Sequence, residues 1–360
     1  MAAIRLGIVG SNYGLSVQLP AFRADPRCTV VALAGRETTR TRELADKAGI
    51  AKAYGDWRAL IDDTDIDAIA LATPPSSQPE IACAALRSGK PVFAEKPLAA
   101  DLDGAQAMLR AAEAAGLPAM VDFSFHQIAC WQHAKTMLDD GAIGRLRHVA
   151  VHWHVENYSV RQRLRNWKTT ADAGGGVLGN FVSHCFHYLE WFGGPLSRLS
   201  ARLGGLPGAA DLQTTAAMAL NFQSGALASL SMSCASYLGG GHSVEFYGDD
   251  GTLKLVNPGK DYMRGFELLH ARRPATALTA VPVDDPLDAQ YPDGRIAPVS
   301  RLAQRFLDAV ENRGQARPGF AEGFRVQQLI DAAQRSHREG IAIDVTPKET
   351  IEEAVKETRA

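Results

Sequence analysis

Between residues 4 and 123 short apolar runs alternate with segments of helical period, and this alternation constrains the fold more than any other feature of the chain. The runs are Ile4–Val9, Cys28–Ala34, Ile66–Ala72, Pro91–Ala94 and Ala119–Phe123. Between them Thr38 or Thr39 stands where a helix ending at Gly49 needs its cap. Pro79–Arg87 stops at Gly89, and Asp101 is placed to cap an Ala-rich helix that ends at Gly116. Apolar strands separated by helices are how a parallel sheet covered on both faces reads, so this part is expected to be a doubly wound α/β unit.

After Gly141-Ala142-Ile143-Gly144 the pattern changes. Arg147–Val155, Leu199–Leu203, Thr214–Phe222 and Ala226–Cys234 alternate in side-chain character, the last two joined by the turn Gln223-Ser224-Gly225, which predicts an antiparallel sheet. Several positions on both of its faces are apolar or small, as with Ala217 and Ala219 against Met218 and Leu220. Such a sheet needs cover on both sides, by helices on one and by a second subunit on the other. Two late helices, Ser300–Arg313 and Gly323–Glu339, are expected to close over it, and the Pro-rich stretch 272–298 to be irregular. With ~100–200 residues per domain, 360 residues divide into two, 1–123 and 124–360.

Composition limits the partners. A formal charge of -2 from 38 basic and 40 acidic residues supplies no field for a nucleic-acid backbone or an anionic membrane. The 5 cysteines, Cys28, Cys83, Cys130, Cys185 and Cys234, are scattered without a CxxC spacing, which argues for reduced thiols and against a disulfide framework or a zinc site. His152 and His154 share a strand face but have no third ligand nearby, so no metal is expected. No apolar stretch has the length of a membrane span, and the first residues carry no signal-peptide pattern, which points to the cytoplasm.

The first strand runs into Gly10-Ser11-Asn12-Tyr13-Gly14, a turn of the kind that lets a backbone approach a pyrophosphate ahead of a helix N-terminus. Asn12 stands where a second glycine is usual and tolerates the left-handed backbone that position asks for. The second strand ends in Ala34-Gly35-Arg36-Glu37. A carboxylate at the strand end would take the ribose diol of NAD, whereas a cation there suits the extra phosphate of NADP. Arg36 therefore favours NADP, with NAD as the alternative.

Pro91-Val92-Phe93-Ala94-Glu95-Lys96-Pro97-Leu98 places a lysine at the carboxyl end of a buried strand, where open parallel sheets bind ligands, and Pro97 keeps it out of helical backbone. These residues carry a resemblance. Thr73-Pro74-Pro75, Gly89-Lys90-Pro91-Val92, Glu95-Lys96-Pro97, Asp139-Asp140-Gly141-Ala142-Ile143-Gly144, Trp167-Lys168 and Gly174-Gly175-Gly176 together resemble the Gfo/Idh/MocA family of NAD(P)-dependent oxidoreductases, as a divergent member.

The resemblance implies a Rossmann domain followed by an α+β domain with a large open, mainly antiparallel sheet, and a sugar, polyol or related cyclic alcohol or ketone bound between them. It also implies a homodimer or homotetramer assembled through the sheet. By the same resemblance Gly10, Asn12, Tyr13, Gly14, Arg36, Thr73, Pro74, Glu95 and Lys96 hold the cofactor. Lys96 lies near the nicotinamide and polarises the reacting oxygen.

The segment 174–194 reads as a helix with glycines at both ends, in which Asn180, His184, His187 and Trp191 form one polar stripe among Val177, Phe181, Cys185, Phe186 and Leu189. A helix this apolar is buried, and its polar stripe must face a partner or a cleft. The family has Asp, three residues and His at this place, which makes His184 the candidate acid/base and puts Asn180 where the Asp stands. An amide can bind a hydroxyl but cannot stabilise an imidazolium by charge. His126, Trp167, Lys168 and His187 are the candidate substrate contacts. Further departures from the pattern are Gln78 for a histidine and His126 for an arginine. The activity implied is hydride transfer at a carbinol or carbonyl carbon. The rival readings are a dinucleotide-binding sensor that has lost catalysis and an NAD-dependent glycosidase.

Overall fold

A computed structural model describes residues 3–205, 212–312 and 316–347. Six parallel strands, β1 (Ile4–Val9), β2 (Cys28–Ala34), β3 (Lys52–Tyr54), β4 (Ala68–Leu71), β5 (Val92–Ala94) and β6 (Ala119–Val121), line up in the order β3-β2-β1-β4-β5-β6. Every residue of β4, β5 and β6 is buried, as a sheet sandwiched between helices requires. The order reverses between β1 and β4, which opens a crevice at their carboxyl ends.

Five of these strands coincide with the apolar runs. The sixth, β3, is a three-residue edge strand, Lys52-Ala53-Tyr54, half-buried throughout and too short to show a pattern. The helix Thr38–Ala48 is capped by Glu37, whose carboxylate accepts the backbone N–H of Thr39 and Arg40, and neither threonine is the cap. Asp101 caps Leu102–Ala115 through the Gly104 N–H, as expected.

The second sheet has nine strands: β7 (Leu146–His154), β8 (Leu196–Gly205), β9 (Gln213–Phe222), β10 (Leu227–Ser233), β11 (Gly241–Gly248), β12 (Gly251–Asn257), β13 (Glu267–Arg272), β14 (Thr279–Val281) and β15 (Ile343–Asp344). Their order is β14-β13-β12-β11-β7-β10-β9-β8-β15. All neighbours are antiparallel except β7 and β10, so the sheet is mixed at its centre. The four expected strands are present with shifted ends, and β11 to β15 extend the sheet beyond them.

One face of this sheet is core. Val149, Val151 and Trp153 of β7, Met218 and Leu220 of β9 and Val244 and Phe246 of β11 pack with Trp131, Phe186, Tyr188 and Phe192 from the helices Ala129–Asp139 and Ser183–Gly193. On the other face Thr215, Ala217, Ala219 and Asn221 of β9 are open to solvent, alternating strictly with the buried set.

The two late helices are Ile296–Asn312 and Phe320–Glu339; the last residue of the expected Ser300–Arg313 lies outside the described residues. Only the second lies on the nine-stranded sheet, along β8. Ile296–Asn312 returns to the six-stranded sheet, where Val299, Leu302, Phe306 and Leu307 share a core with Phe22, Val30 and Phe93. The edge-on contacts of Phe306 with Phe22 and Phe93, at 6.2 and 5.8 Å, explain the preference, because this helix supplies the aromatic face that covers β1 and β5.

All five cysteines are unpaired; Cys83 is half-buried and the other four are buried. His154 uses its Nε2 on Ser231 Oγ of β10 at 2.9 Å, an ordinary cross-strand pair.

Candidate active site

The crevice between β1 and β4 is built from glycine geometry. Gly10 has φ +109°, and a Cβ there would stand 2.4 Å from the Ala72 carbonyl oxygen at the end of β4. A Cβ on Gly14 would stand 2.7 Å from Ile8 Cγ2. Among the described residues only Arg163 and Leu238 outside glycine have positive φ, so Asn12 does not adopt the left-handed backbone expected of it; Gly10 alone carries that conformation. Across the crevice Thr73 Oγ1 is buried with no partner among the described residues, and Pro74 is exposed beside it. The backbone cradle that only glycine permits and the orphaned hydroxyl fit a dinucleotide phosphate.

At the end of β2 both carboxylate oxygens of Glu37 are committed to the helix N–H groups. Arg36 is exposed and makes no hydrogen bond or ion pair among the described residues. The strand end thus offers a free guanidinium, while its nearest acid is occupied.

The Lys96-Pro97 turn is held from below. Gln78, fully buried, donates through Nε2 to the carbonyls of Glu95 and Pro97 at 3.0 and 2.8 Å. Lys96 crosses the crevice and donates its Nζ to the Asn180 carbonyl at 3.0 Å. That carbonyl belongs to a π-turn, Leu178–Val182, which precedes the α-helix Ser183–Gly193. The wider π-turn interrupts the regular helical stripe read from the sequence, so Asn180 meets Lys96 through its backbone. Gly179 makes the approach possible: a Cβ there would fall 1.9 Å from the Gly174 carbonyl and 3.5 Å from Pro97.

Burial lowers Lys96 to about 8, opposed by Glu95 and Asp122 and reinforced by Lys168. His184 is 7% exposed, lies against Phe125 at 4.9 Å and Phe123 at 6.3 Å, and has a buried, unpartnered Nδ1. Burial, with Lys96, His187 and His242 nearby, holds its imidazole well below the ordinary histidine range, hence neutral.

The remaining sequence candidates assemble around this pair. His187 stacks on Phe123 at 4.4 Å and lies 5.2 Å from His126, which is buried, bonded through Nδ1 to the Phe123 carbonyl and lowered to about 4 by desolvation. Trp167 and Lys168 sit on a short turn at the rim, the Lys168 ammonium lowered by desolvation and feeling both Glu95 and Arg295.

Other participants have no motif. Asp122, one residue past β6, is 1% exposed and accepts from the Tyr13 hydroxyl at 3.3 Å. Arg295 lies over the Tyr13 ring at 5.5 Å while paired with Asp293 at 2.6 Å. The sequence reading named neither: the only signal for Asp122 is its place at a strand carboxyl end, where ligands gather, and nothing local marks Arg295, which arrives from the stretch before the helix Ile296–Asn312.

A glycine-cradled crevice at the reversal of a parallel sheet, facing a lysine and a neutral histidine across it, defines a nicotinamide-dependent oxidoreductase. Residues 4–123 match the oxidoreductase family with an NAD-binding Rossmann fold, and residues 131–254 match the Gfo/Idh/MocA C-terminal domain. The chain belongs to the Gfo/Idh/MocA family. It is 27% identical over 351 residues to an uncharacterized oxidoreductase of Synechocystis sp., covering 93% of this chain and 94% of that one. It is 24% identical to the levoglucosan dehydrogenase of Pseudarthrobacter phenanthrenivorans, over 96% and 99% of the two chains. A solved structure of levoglucosan dehydrogenase in complex with NADH and L-sorbose has the same fold, with TM-score 0.86, 23% identity, and 97% of this chain and 100% of that one covered. No helix among the described residues is long and apolar enough to cross a membrane.

Proposed function

We propose that the chain is a cytoplasmic NADP-dependent sugar or polyol dehydrogenase, acting at a carbinol or carbonyl carbon held between Lys96 and His184. The observation that carries this reading is the convergence of the Lys96 ammonium, anchored on the Asn180 carbonyl, with the neutral His184 in one crevice. When bound, the nicotinamide supplies or accepts the hydride. Gly10, Asn12, Tyr13 and Gly14 face its phosphates, with Thr73, Pro74 and Glu95 lining the same crevice.

Lys96 hydrogen-bonds the reacting oxygen and stabilises the charge that develops on it. His184, unprotonated through the physiological range, accepts the hydroxyl proton during oxidation and returns it during reduction. His126, His187, Trp167 and Lys168 hold the remaining hydroxyls, with Asn180 fixing Lys96. The free Arg36 supports NADP over NAD. The names of the relatives, a levoglucosan dehydrogenase and a D-apiose dehydrogenase among them, support a sugar-like substrate.

Absorbance at 340 nm with a panel of sugars, polyols and keto-sugars tests the proposal. Reversible NADPH change with at least one of them is expected. Glycoside release without net NADPH change would assign the glycosidase reaction instead, and tight cofactor binding with neither would leave a sensor.

A further inference from the structure

We propose that Glu95 and Asp122 act as one acid beneath Lys96, sharing a single proton between two carboxyl groups, and that the one negative charge left on the pair is the counter-charge that sustains the Lys96 ammonium. Both are positioning residues, acting on the substrate only through Lys96.

The geometry leaves little alternative to a shared proton. Glu95 Oε1 and Asp122 Oδ1 are both buried, and neither has a hydrogen-bond donor among the described residues. The two residues stand side by side just past the ends of β5 and β6, in the register that pairs Ala94 with Val121 and sends the Asp122 N–H to the Ala94 carbonyl at 2.8 Å, and two ionised carboxylates buried side by side would repel. Asp122 Oδ2 accepts from the Tyr13 hydroxyl at 3.3 Å, and Glu95 Oε2 from the Lys96 backbone N–H at 3.2 Å. Asp122 carries the charge, and Glu95, held the more strongly neutral by burial, carries the proton and donates it to Asp122. Desolvation raises Glu95 well above the carboxyl range, and the Asp122 charge raises it further; desolvation raises Asp122 less, to about 6, because Glu95 and Tyr13 donate to it.

The groups around the pair account for its single charge. Lys96 stands on the same strand end as Glu95, Tyr13 on the glycine turn, Lys168 on the rim turn, and Tyr262 on the loop after β12. Arg295 is already paired with Asp293, and His184 is neutral. Lys96 is thus the cation nearest the pair. As pH falls through the pair's lower titration, near 6, Asp122 takes up its own proton and Lys96 loses its counter-charge; as pH rises through about 8, Lys96 loses its proton.

The effect on turnover rests on the proposed role of Lys96, but the shared proton is a property of the ligand-free protein and is tested there. Infrared difference spectra of the ligand-free parent protein, Glu95→Gln and Asp122→Asn are recorded across a pH titration. At neutral pH the parent is expected to show one protonated-carboxyl band. Either variant leaves a single carboxyl, which takes up the charge opposite Lys96, so both lose the band. No band in the parent, or a band that persists in Asp122→Asn, would overturn the pairing, since a glutamic acid neutral by burial alone would keep its proton. In turnover, the acid limb of the kcat profile should move to higher pH in both variants, because the carboxylate left behind loses the hydrogen bond that its partner's proton supplied. An unmoved limb with the band behaving as expected would detach the pair from Lys96, whereas absence of any sugar turnover in the parent would count against the proposed function and leave the spectra to judge the pairing.

Discussion

At the scale of single residues the proposed mechanism gives the crevice three jobs that can be measured apart. Lys96 supplies charge at the reacting oxygen, so Lys96→Ala should lower kcat by about a hundred- to a thousandfold, the usual effect of removing one preorganised donor, with steady-state rates as the measure. His184 supplies a proton acceptor that is already neutral, so His184→Gln should cut kcat by a similar factor at every pH from about 5 to 8, leaving the profile's shape intact. A loss confined to the acid side would mean that the imidazole titrates in the working range. Arg36 supplies a guanidinium with no partner among the described residues, and Arg36→Ala should weaken NADPH about tenfold or more while NADH affinity moves little, as titration calorimetry would report. Equal losses for both cofactors would reassign Arg36 to packing on the adenine.

At the scale of elements the site depends on two close approaches of backbone, Gly10 to the Ala72 carbonyl and Gly179 to the Gly174 carbonyl. A Cβ on Gly179 would stand 1.9 Å from that oxygen, with Pro97 already in van der Waals contact, so Gly179→Ala should destabilise the protein by roughly 1–3 kcal/mol through overpacking, read as a lowered Tm.

These junctions also mark what could be read from the chain. The strand ends that carry Gly10, Arg36 and Lys96 were legible because buried parallel strands leave apolar runs with polar residues at their carboxyl ends. The helix Ser183–Gly193 was legible from its apolar period, but not the π-turn before it, since one inserted residue leaves no trace in composition. Asp122 and Arg295 were not legible because their partners, Glu95 and Tyr13, are brought to them by sheet order and by a loop from the far end of the chain. Five strands of the larger sheet escaped for a related reason: β11 pairs with β7, about a hundred residues earlier, β12 to β14 only continue from it, and β15 pairs with the distant β8. The cap at Glu37 escaped because threonine is the commoner capping residue and the glutamate's long side chain reached the same N–H groups first.

At the scale of the whole molecule the open face of the nine-stranded sheet is the feature still to be explained. β9 presents Thr215, Ala217, Ala219 and Asn221 to solvent, and β10 sets Ser229 beside Ala219. On the far side Ser200 of β8 is the neighbour of Ala219, so the surface around Ala219 is small and uncharged, with the exposed Arg198 and Arg202 of β8 flanking it beside Asn221 and Ala217. A monomeric sheet has reason to carry charges there, both for solubility and to discourage association. A surface this smooth is suited to lie against a copy of itself, and a twofold contact would place each Ala219 in or near the self-complementary patch. Ala219→Lys should then bury like charges in the contact and convert the homodimer or homotetramer to a smaller species by sedimentation velocity. The side chain points away from the core, so the thermal transition of the subunit and its binding of NADPH should survive. A variant that sediments with the parent's mass would show that the subunits meet elsewhere, and a parent that is itself monomeric would leave this face bare.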